Sequence, residues 1–252
     1  MKKSILFLLF SCLVFNFAQA QDELYVNLWY GQIKNEDVAR HLELEEKFYK
    51  KFHKERLDRG EIIGWDLWQI TNPNANEMTT TFIYAHLMPK STGGGFPSID
   101  KLPGVSKAEW ANAQKEAMGH YIKNYQVLVS LKGGYGPQAT GQPADYAVLN
   151  YMEVDPYRAA EYEAMEIETF MPIHQEQGTR SGWGLHKVLN HYGTDKPVNY
   201  ITADFYDKLE TIYAGFNSTD PMGKDVVSTL KEMDEMRTLA RAHIIKRIMS
   251  VR

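Results

Sequence analysis

Two glutamates stand where an amphipathic helix should be apolar. Val38, Leu42, Tyr49 and Phe52 lie on one helical stripe with Glu45 at its centre, at successive spacings of three and four, the pattern of a face turned toward a core. On a 100° wheel Glu45 lies about 20° from Val38 and Phe52 and about 40° from Tyr49. A carboxylate buried there is desolvated, so its pKa rises unless a cation or donors meet it, which is the condition of a tunable general acid or base. The competing reading is a glutamate tied by hydrogen bonds to a tyrosine or tryptophan, because perturbed groups mark sites only statistically. Glu166 repeats the arrangement between Ala159 and the pair Phe170 and Ile173.

Histidines accompany both glutamates. His53 and His174 fall about 80° from Glu45 and Glu166 and two turns further on, where they suit a proton shuttle or a metal or haem ligand. Near a helix C-terminus they equally suit the macrodipole. Trp65 and Trp183 each follow a glycine at a strand start and can wall a planar ligand or fill a core. Tyr30 and Tyr151 close matching strands and can line a wet pocket as readily as a dry one. His86 and His186 lack a histidine counterpart, facing Asp204 and Trp68 by alignment, and are the natural candidates if only one half is active. There is no His-Glu-x-x-His run, so a preformed zinc site has no support. Gly93-Gly94-Gly95 lacks the spacing of a nucleotide loop, and no Gly-x-Ser-x-Gly elbow occurs.

These correspondences arise from an internal duplication. Tyr25-Val-Asn-Leu-Trp-Tyr30 is echoed by Tyr146-Ala-Val-Leu-Asn-Tyr151, an offset that carries Glu45 onto Glu166 and His53 onto His174. After a short contraction Gly64-Trp65-Asp-Leu67 matches Gly182-Trp183-Gly-Leu185, and Phe82-Ile83-Tyr84-Ala85 matches Tyr200-Ile201-Thr202-Ala203. Periodicity predicts a strand at 24–30, a helix at 36–58, strands at 62–70 and 79–88, a helix at 106–122 and a strand at 125–132. The second half repeats the order at 145–153, 156–177, 183–190, 198–206, 222–241 and 243–251. The fold class is therefore α+β, two tandem β-α-β-β-α-β units of the ferredoxin-like kind. The first spans 21–132 and the second 145–252, joined by a Gly/Pro-rich linker at 133–144. The first unit carries a long loop at 89–105, which the second replaces with a segment of helical character at 207–216.

Met1-Lys2-Lys3, an apolar run from Ile5 to Phe17 and Ala18-Gln19-Ala20 form a secretory signal pattern over residues 1–20. The expectation is an exported protein, periplasmic or secreted, cleaved near Ala20. The sole cysteine, Cys12, lies in that segment, which leaves no disulfide and no thiol ligand after cleavage. Loss of Lys2 and Lys3 takes the formal charge from −4 to −6 with no basic block remaining, which argues against nucleic acid or an anionic membrane as partner. No later run is apolar enough to anchor the chain in a bilayer.

The element order, the duplication and the paired Gly-Trp strands resemble the dimeric α/β-barrel superfamily, in which two ferredoxin-like units set their sheets face to face. Most members build the barrel from two chains; the resemblance implies an intrachain pseudo-dimer here. Its members include cofactor-independent monooxygenases, cyclases, haem-binding proteins and proteins without known chemistry, so it implies a fold before a function. The reading drawn from these features is an exported protein that binds a small apolar or aromatic molecule between sheet and helices. Tyr30, His53, Trp65, Tyr151, His174 and Trp183 are its candidate contacts. The alternative is a cofactor-independent monooxygenase- or cyclase-type enzyme with Glu45 or Glu166 as base and His86 or His186 assisting. Haem binding ranks third. The sequence specifies no cofactor, metal or oligomeric state.

Overall fold

The structure is a computed structural model that describes residues 24–71, 78–89, 99–136, 143–190, 198–219 and 224–252. The leader, the Gly93-Gly94-Gly95 run and half of the linker expected from the sequence lie outside the described residues. Alternation sets the first strand, β1 (Tyr25–Lys34): Val26, Leu28 and Tyr30 point to one side, Asn27, Trp29 and Gly31 to the other. A long helix follows in three stretches, Val38–Leu44, Glu45–Tyr49 and Lys50–Asp58. Then come β2 (Gly64–Ile70), β3 (Thr79–Met88), a helix over Lys107–Gly119 and β4 (Tyr121–Tyr135). A reciprocal capping box between Ser106 and Glu109 starts the Lys107–Gly119 helix. The second unit repeats the order: β5 (Tyr146–Val154), a long helix over Ala159–Ala164, Met165–Phe170 and Met171–Gln177, then β6 (Gly182–Val188) and β7 (Tyr200–Tyr206). Helices Leu209–Asn217 and Lys224–Met236 and β8 (Arg237–Val251) complete it.

The eight strands close into one antiparallel barrel in the order β1-β3-β2-β8-β5-β7-β6-β4. Each unit supplies four strands, and the units join through β2–β8 and β4–β6. Closure removes the exposed edges that either sheet would present alone. The barrel is lined by residues of both units, among them Val26, Leu28, Ile83, Val129, Leu149, Ile201 and Ile245. Outside it, one cluster under each long helix seals the gap to the sheet, Trp65, Leu67 and Phe82 in the first unit and Tyr162, Trp183 and Leu185 in the second.

Two departures from the sequence reading bear on the site. β4 begins at Tyr121 and β8 at Arg237, several residues before the expected starts, because Tyr121 pairs with Ile33 and Arg237 with Val154 in the antiparallel ladders. Backbone pairing takes residues that the side-chain pattern had assigned to the preceding helices. β4 also runs past the expected boundary, so that Gly133 to Tyr135 pair with β6 rather than belonging to the linker. The second departure lies in the long helices. Each passes through one π-helical turn, which opens at Glu45 in the first unit and beside Glu166 in the second. The wider turn rotates everything after it. The sheet-facing side of the first helix is consequently His41, Glu45, His53 and Arg56, all buried, while Phe48, Tyr49 and Phe52 turn toward the neighbouring helix that carries Trp110.

Candidate functional site

Glu45 is 2% exposed and His41, one helical turn before it, is 0% exposed. The Nε2 atom of His41 lies 3.2 Å from Glu45 Oε1, 2.7 Å from the Tyr84 hydroxyl and 3.0 Å from the Tyr121 hydroxyl. Tyr121 donates to Tyr84 at 2.7 Å, and His41 Nδ1 lies 3.2 Å from Nδ1 of the partly exposed His120. Gly31 makes this possible: a Cβ there would stand 2.4 Å from the Tyr121 ring, so only glycine lets the ring lie across β1 and bring its hydroxyl to the histidine. Burial pushes the Glu45 carboxyl up, opposed by His41 and Tyr84. Burial likewise holds the Tyr84 hydroxyl well above its ordinary range. The result is a polar chain from a buried carboxyl toward the surface at His120.

Three more of the expected first-unit residues, His53, Trp65 and His86, gather about two turns further along the helix. His53 stacks on Trp65 at 4.3 Å between centroids and lies 5.0 Å from His86. Burial lowers His53 well below the ordinary histidine range, with His86 and Arg56 adding repulsion. Burial brings His86 down to about 3, and Arg56 again contributes. Both imidazoles are neutral members of a packed layer. In the second unit His174 packs on Trp183 at 6.0 Å, and burial lowers it to about 4. His186 faces the barrel interior beside Gly184, on the same side as Trp68, and is lowered by burial to about 4.

Glu166 keeps its place and loses its company. The counterpart of His41 is Tyr162 and that of Tyr84 is Thr202; strand register puts Arg237 where the first unit has Tyr121. Burial raises the Glu166 carboxyl, while Tyr162 and Arg237 pull it down. Asp204, the counterpart of His86, is held by Arg180 at 2.6 Å and Asn150 at 2.7 Å, with its carboxyl raised by burial and lowered by the arginine.

Tyr30 and Tyr151, equivalent residues of the two halves, meet inside the barrel with their hydroxyls 2.8 Å apart. Each carries a cap from the last strand of its own unit: Tyr125 stacks on Tyr30 at 4.6 Å and 4° between planes, and the Arg241 guanidinium lies 4.3 Å over the Tyr151 ring. Register makes Tyr125 and Arg241 equivalents, since they face Tyr30 and Tyr151 across the ladder. Above this layer a cavity of about 350 Å³ opens at one barrel mouth, with Lys123 and His243 completing its charged and imidazole side. Burial and Arg241 lower His243, so its imidazole is neutral. The pocket expected between sheet and helices is thus not the one that Tyr30 and Tyr151 line. None of Glu45, Glu166, His53, His86, His174 and His186 lines this cavity. Nor do they line the shallow groove between the first long helix and the Lys107–Gly119 helix, whose Arg40 is already paired with Glu43 and Glu116.

Sequence reasoning named both glutamates, four histidines, two tryptophans and two tyrosines as candidates, of which Tyr30 and Tyr151 line the barrel-mouth cavity. It missed His41, Tyr84, Tyr121, Tyr125 and Arg241. His41 carried a usable signal, four residues before Glu45 on the same face; Arg241 carried none, because it sat in a segment read as helix. Among the described residues no group of three or more His, Cys, Asp or Glu side chains is arranged to hold a metal, and no helix is long and apolar enough to cross a membrane.

No protein-family profile matches the chain, and no curated protein sequence matches it. Solved structures share its fold. A candidate monooxygenase from Lactobacillus acidophilus NCFM is 12% identical with a TM-score of 0.57 over 91% of this chain and 96% of its own. A candidate monooxygenase from Fusobacterium nucleatum subsp. nucleatum is 8% identical with a TM-score of 0.58 over 90% and 94%. An anthrone oxidase-like protein is 11% identical with a TM-score of 0.53 over 92% and 94%. The fold is the dimeric α/β barrel, with both ferredoxin-like units in one polypeptide.

Proposed function

We propose that this protein is an exported small-molecule-binding α/β barrel whose ligand sits at the barrel mouth. One observation carries the reading: the cavity of about 350 Å³ is walled by Tyr30, Tyr125 and Tyr151 with polar groups converging on it. An eight-stranded barrel is just wide enough to hold one small ligand, and barrel mouths are a recurrent place for such sites. Export rests on the signal pattern of residues 1–20. The test is native mass spectrometry of protein purified from its own host, beside a Thr81→Trp variant that fills the cavity. A retained small molecule that the variant loses is the expected result; a ligand kept by both proteins would move the site elsewhere.

A second reading is an acid–base enzyme of the monooxygenase or cyclase type; monooxygenase is the activity named for two of the structural neighbours. The Glu45–His41–Tyr84 chain favours it, since a buried carboxyl of raised pKa in contact with an imidazole is suited to taking and passing a proton. Glu45→Gln should then abolish turnover of whatever substrate is found while the fold persists. Haem binding has no comparable support: among the described residues His243 is the one histidine that lines the barrel-mouth cavity, and it does so beside the Arg241 cation.

A further inference from the structure

We infer that the barrel-mouth ligand is a small planar aromatic carboxylate, held by one cation from each half of the duplicated chain; this rests on the binding reading above and names its ligand class. Lys123 of the first unit and Arg241 of the second both line the cavity, and among the described residues no aspartate or glutamate does. Glu153, the next inward-facing residue of β5 and the counterpart of Gln32, lies outside the lining although Gln32 is part of it. The chain as a whole is acidic, at a formal −4, so a cationic pocket is a local departure from its charge. Neither Lys123 nor Arg241 has an ion-pair partner among the described residues. Two unpaired cations around a partly enclosed space attract an anion, and a carboxylate matches the guanidinium fork.

The tyrosines supply the rest of the specificity. When two hydroxyls bond to each other, one hydrogen is used in the pair and the second remains to donate elsewhere. The Tyr30–Tyr151 pair therefore retains one donor at the base of a cavity whose lining, among the described residues, offers no carboxylate to accept it. The Tyr125 ring, 39% exposed and parallel to Tyr30, presents a flat outer face on which a planar ring can lie. Ile70 adds an apolar wall. A cavity of this volume, at the small end of ligand pockets, suits one or two fused rings rather than a large ligand.

The test is calorimetric titration of the purified full-length chain with benzoate and 2-naphthoate, with benzamide as the neutral isostere. Benzoate should bind about tenfold or more tightly than benzamide, the loss expected when a charge-assisted hydrogen bond is removed. Arg241→Met and Lys123→Met should each weaken benzoate by a similar factor and leave benzamide unchanged. Both side chains are exposed, and unchanged thermal unfolding of the variants ties any loss to the site. Benzamide binding as tightly as benzoate, or benzoate binding that survives both substitutions, would overturn the anion assignment and leave the cavity reading intact. Failure of all three probes to bind at millimolar concentration would remove the cavity reading as well.

Discussion

His86 should make this protein acid-labile, and by an amount that can be worked out. The side chain is 8% exposed between Asn27, His53 and Arg56, and burial with the neighbouring cation brings its pKa down to about 3. In the unfolded chain it titrates near the ordinary value of ~6.5. As pH falls below that value the unfolded state binds a proton that the native state refuses, so stability is complete above pH ~6.5 and is lost as pH falls toward the folded value. Integrating between pH 8 and pH 5 gives a loss of about 2 kcal/mol from this residue, rising to about 3 kcal/mol at pH 4. A His86→Gln variant removes the titration and keeps a donor for the Asn27 carbonyl that His86 contacts at 3.4 Å. It should cost on the order of 1 kcal/mol at pH 8, as buried polar substitutions do, and then fall less steeply than the wild type. Urea unfolding at pH 8, 7, 6 and 5, followed by tryptophan fluorescence, measures the two profiles. Wild-type stability should retain part of its acid slope in the variant, because His53, His174 and His186 are shifted in the same direction. If the two profiles run parallel from pH 8 to pH 5, His86 takes up its proton in the native barrel and the packed, neutral layer described for it is wrong.

Three further outcomes follow from the same geometry. Tyr30→Phe leaves the Tyr151 hydroxyl without its partner and should destabilise by about 1–2 kcal/mol, while Tyr30→Phe/Tyr151→Phe should cost less than the two single changes together, with a coupling of about 1 kcal/mol in a double-mutant cycle; strict additivity would mean the hydroxyls do not bond. Gly31→Ala drives a methyl into the Tyr121 ring and should lower stability by about 1–3 kcal/mol in thermal unfolding, whereas an unchanged melting temperature would show that the ring can move aside. Glu45→Gln should gain on the wild type as pH rises: a buried carboxyl of raised pKa stays protonated in the native state above the point where the unfolded chain ionises, so wild-type stability declines from pH ~4.3 through the folded value, and a variant that loses ground with rising pH would reverse that sign.

The architecture was legible because duplication doubles every weak signal. Strands such as β3, expected at 79–88, match the structure to the residue, and the repeated Gly-Trp pairs marked β2 and β6. The helix–strand boundaries at Tyr121 and Arg237 were not legible, since pairing with Ile33 and Val154 decides them and no local pattern encodes a partner a hundred residues away. The burial of Glu45 and Glu166 was legible on the helical wheel, while the grouping of side chains around them was not. A regular wheel puts Tyr49 and Phe52 on the sheet and His53 at the edge, and the π-turn at Glu45 reverses that. Tyr30 and Tyr151 were visible as equivalents, but only barrel closure brings their hydroxyls together.

Closure also explains why the two kinds of site have different histories written into them. Each glutamate lies between its own sheet and its own helix, so the two buried clusters are separate in space and free to change independently. They have changed: His41 faces Tyr162 by alignment, Tyr84 faces Thr202, and His86 faces Asp204. The polar chain around Glu45 is thereby a property of one half alone. The barrel mouth is different in kind, because Tyr30 and Tyr151 contact each other and a substitution in either half alters one shared site. Both tyrosines persist there, while what lies over them has diverged, an aromatic ring on one side and a guanidinium on the other. A stack on one side and a cation on the other give the site two unlike walls around a common hydroxyl base. An anion joined to a flat ring satisfies both walls at once, with its ring on Tyr125 and its charge toward Arg241. Two identical walls would satisfy only one of those requirements, so a ligand of that shape needs the duplicated halves to differ at this one position.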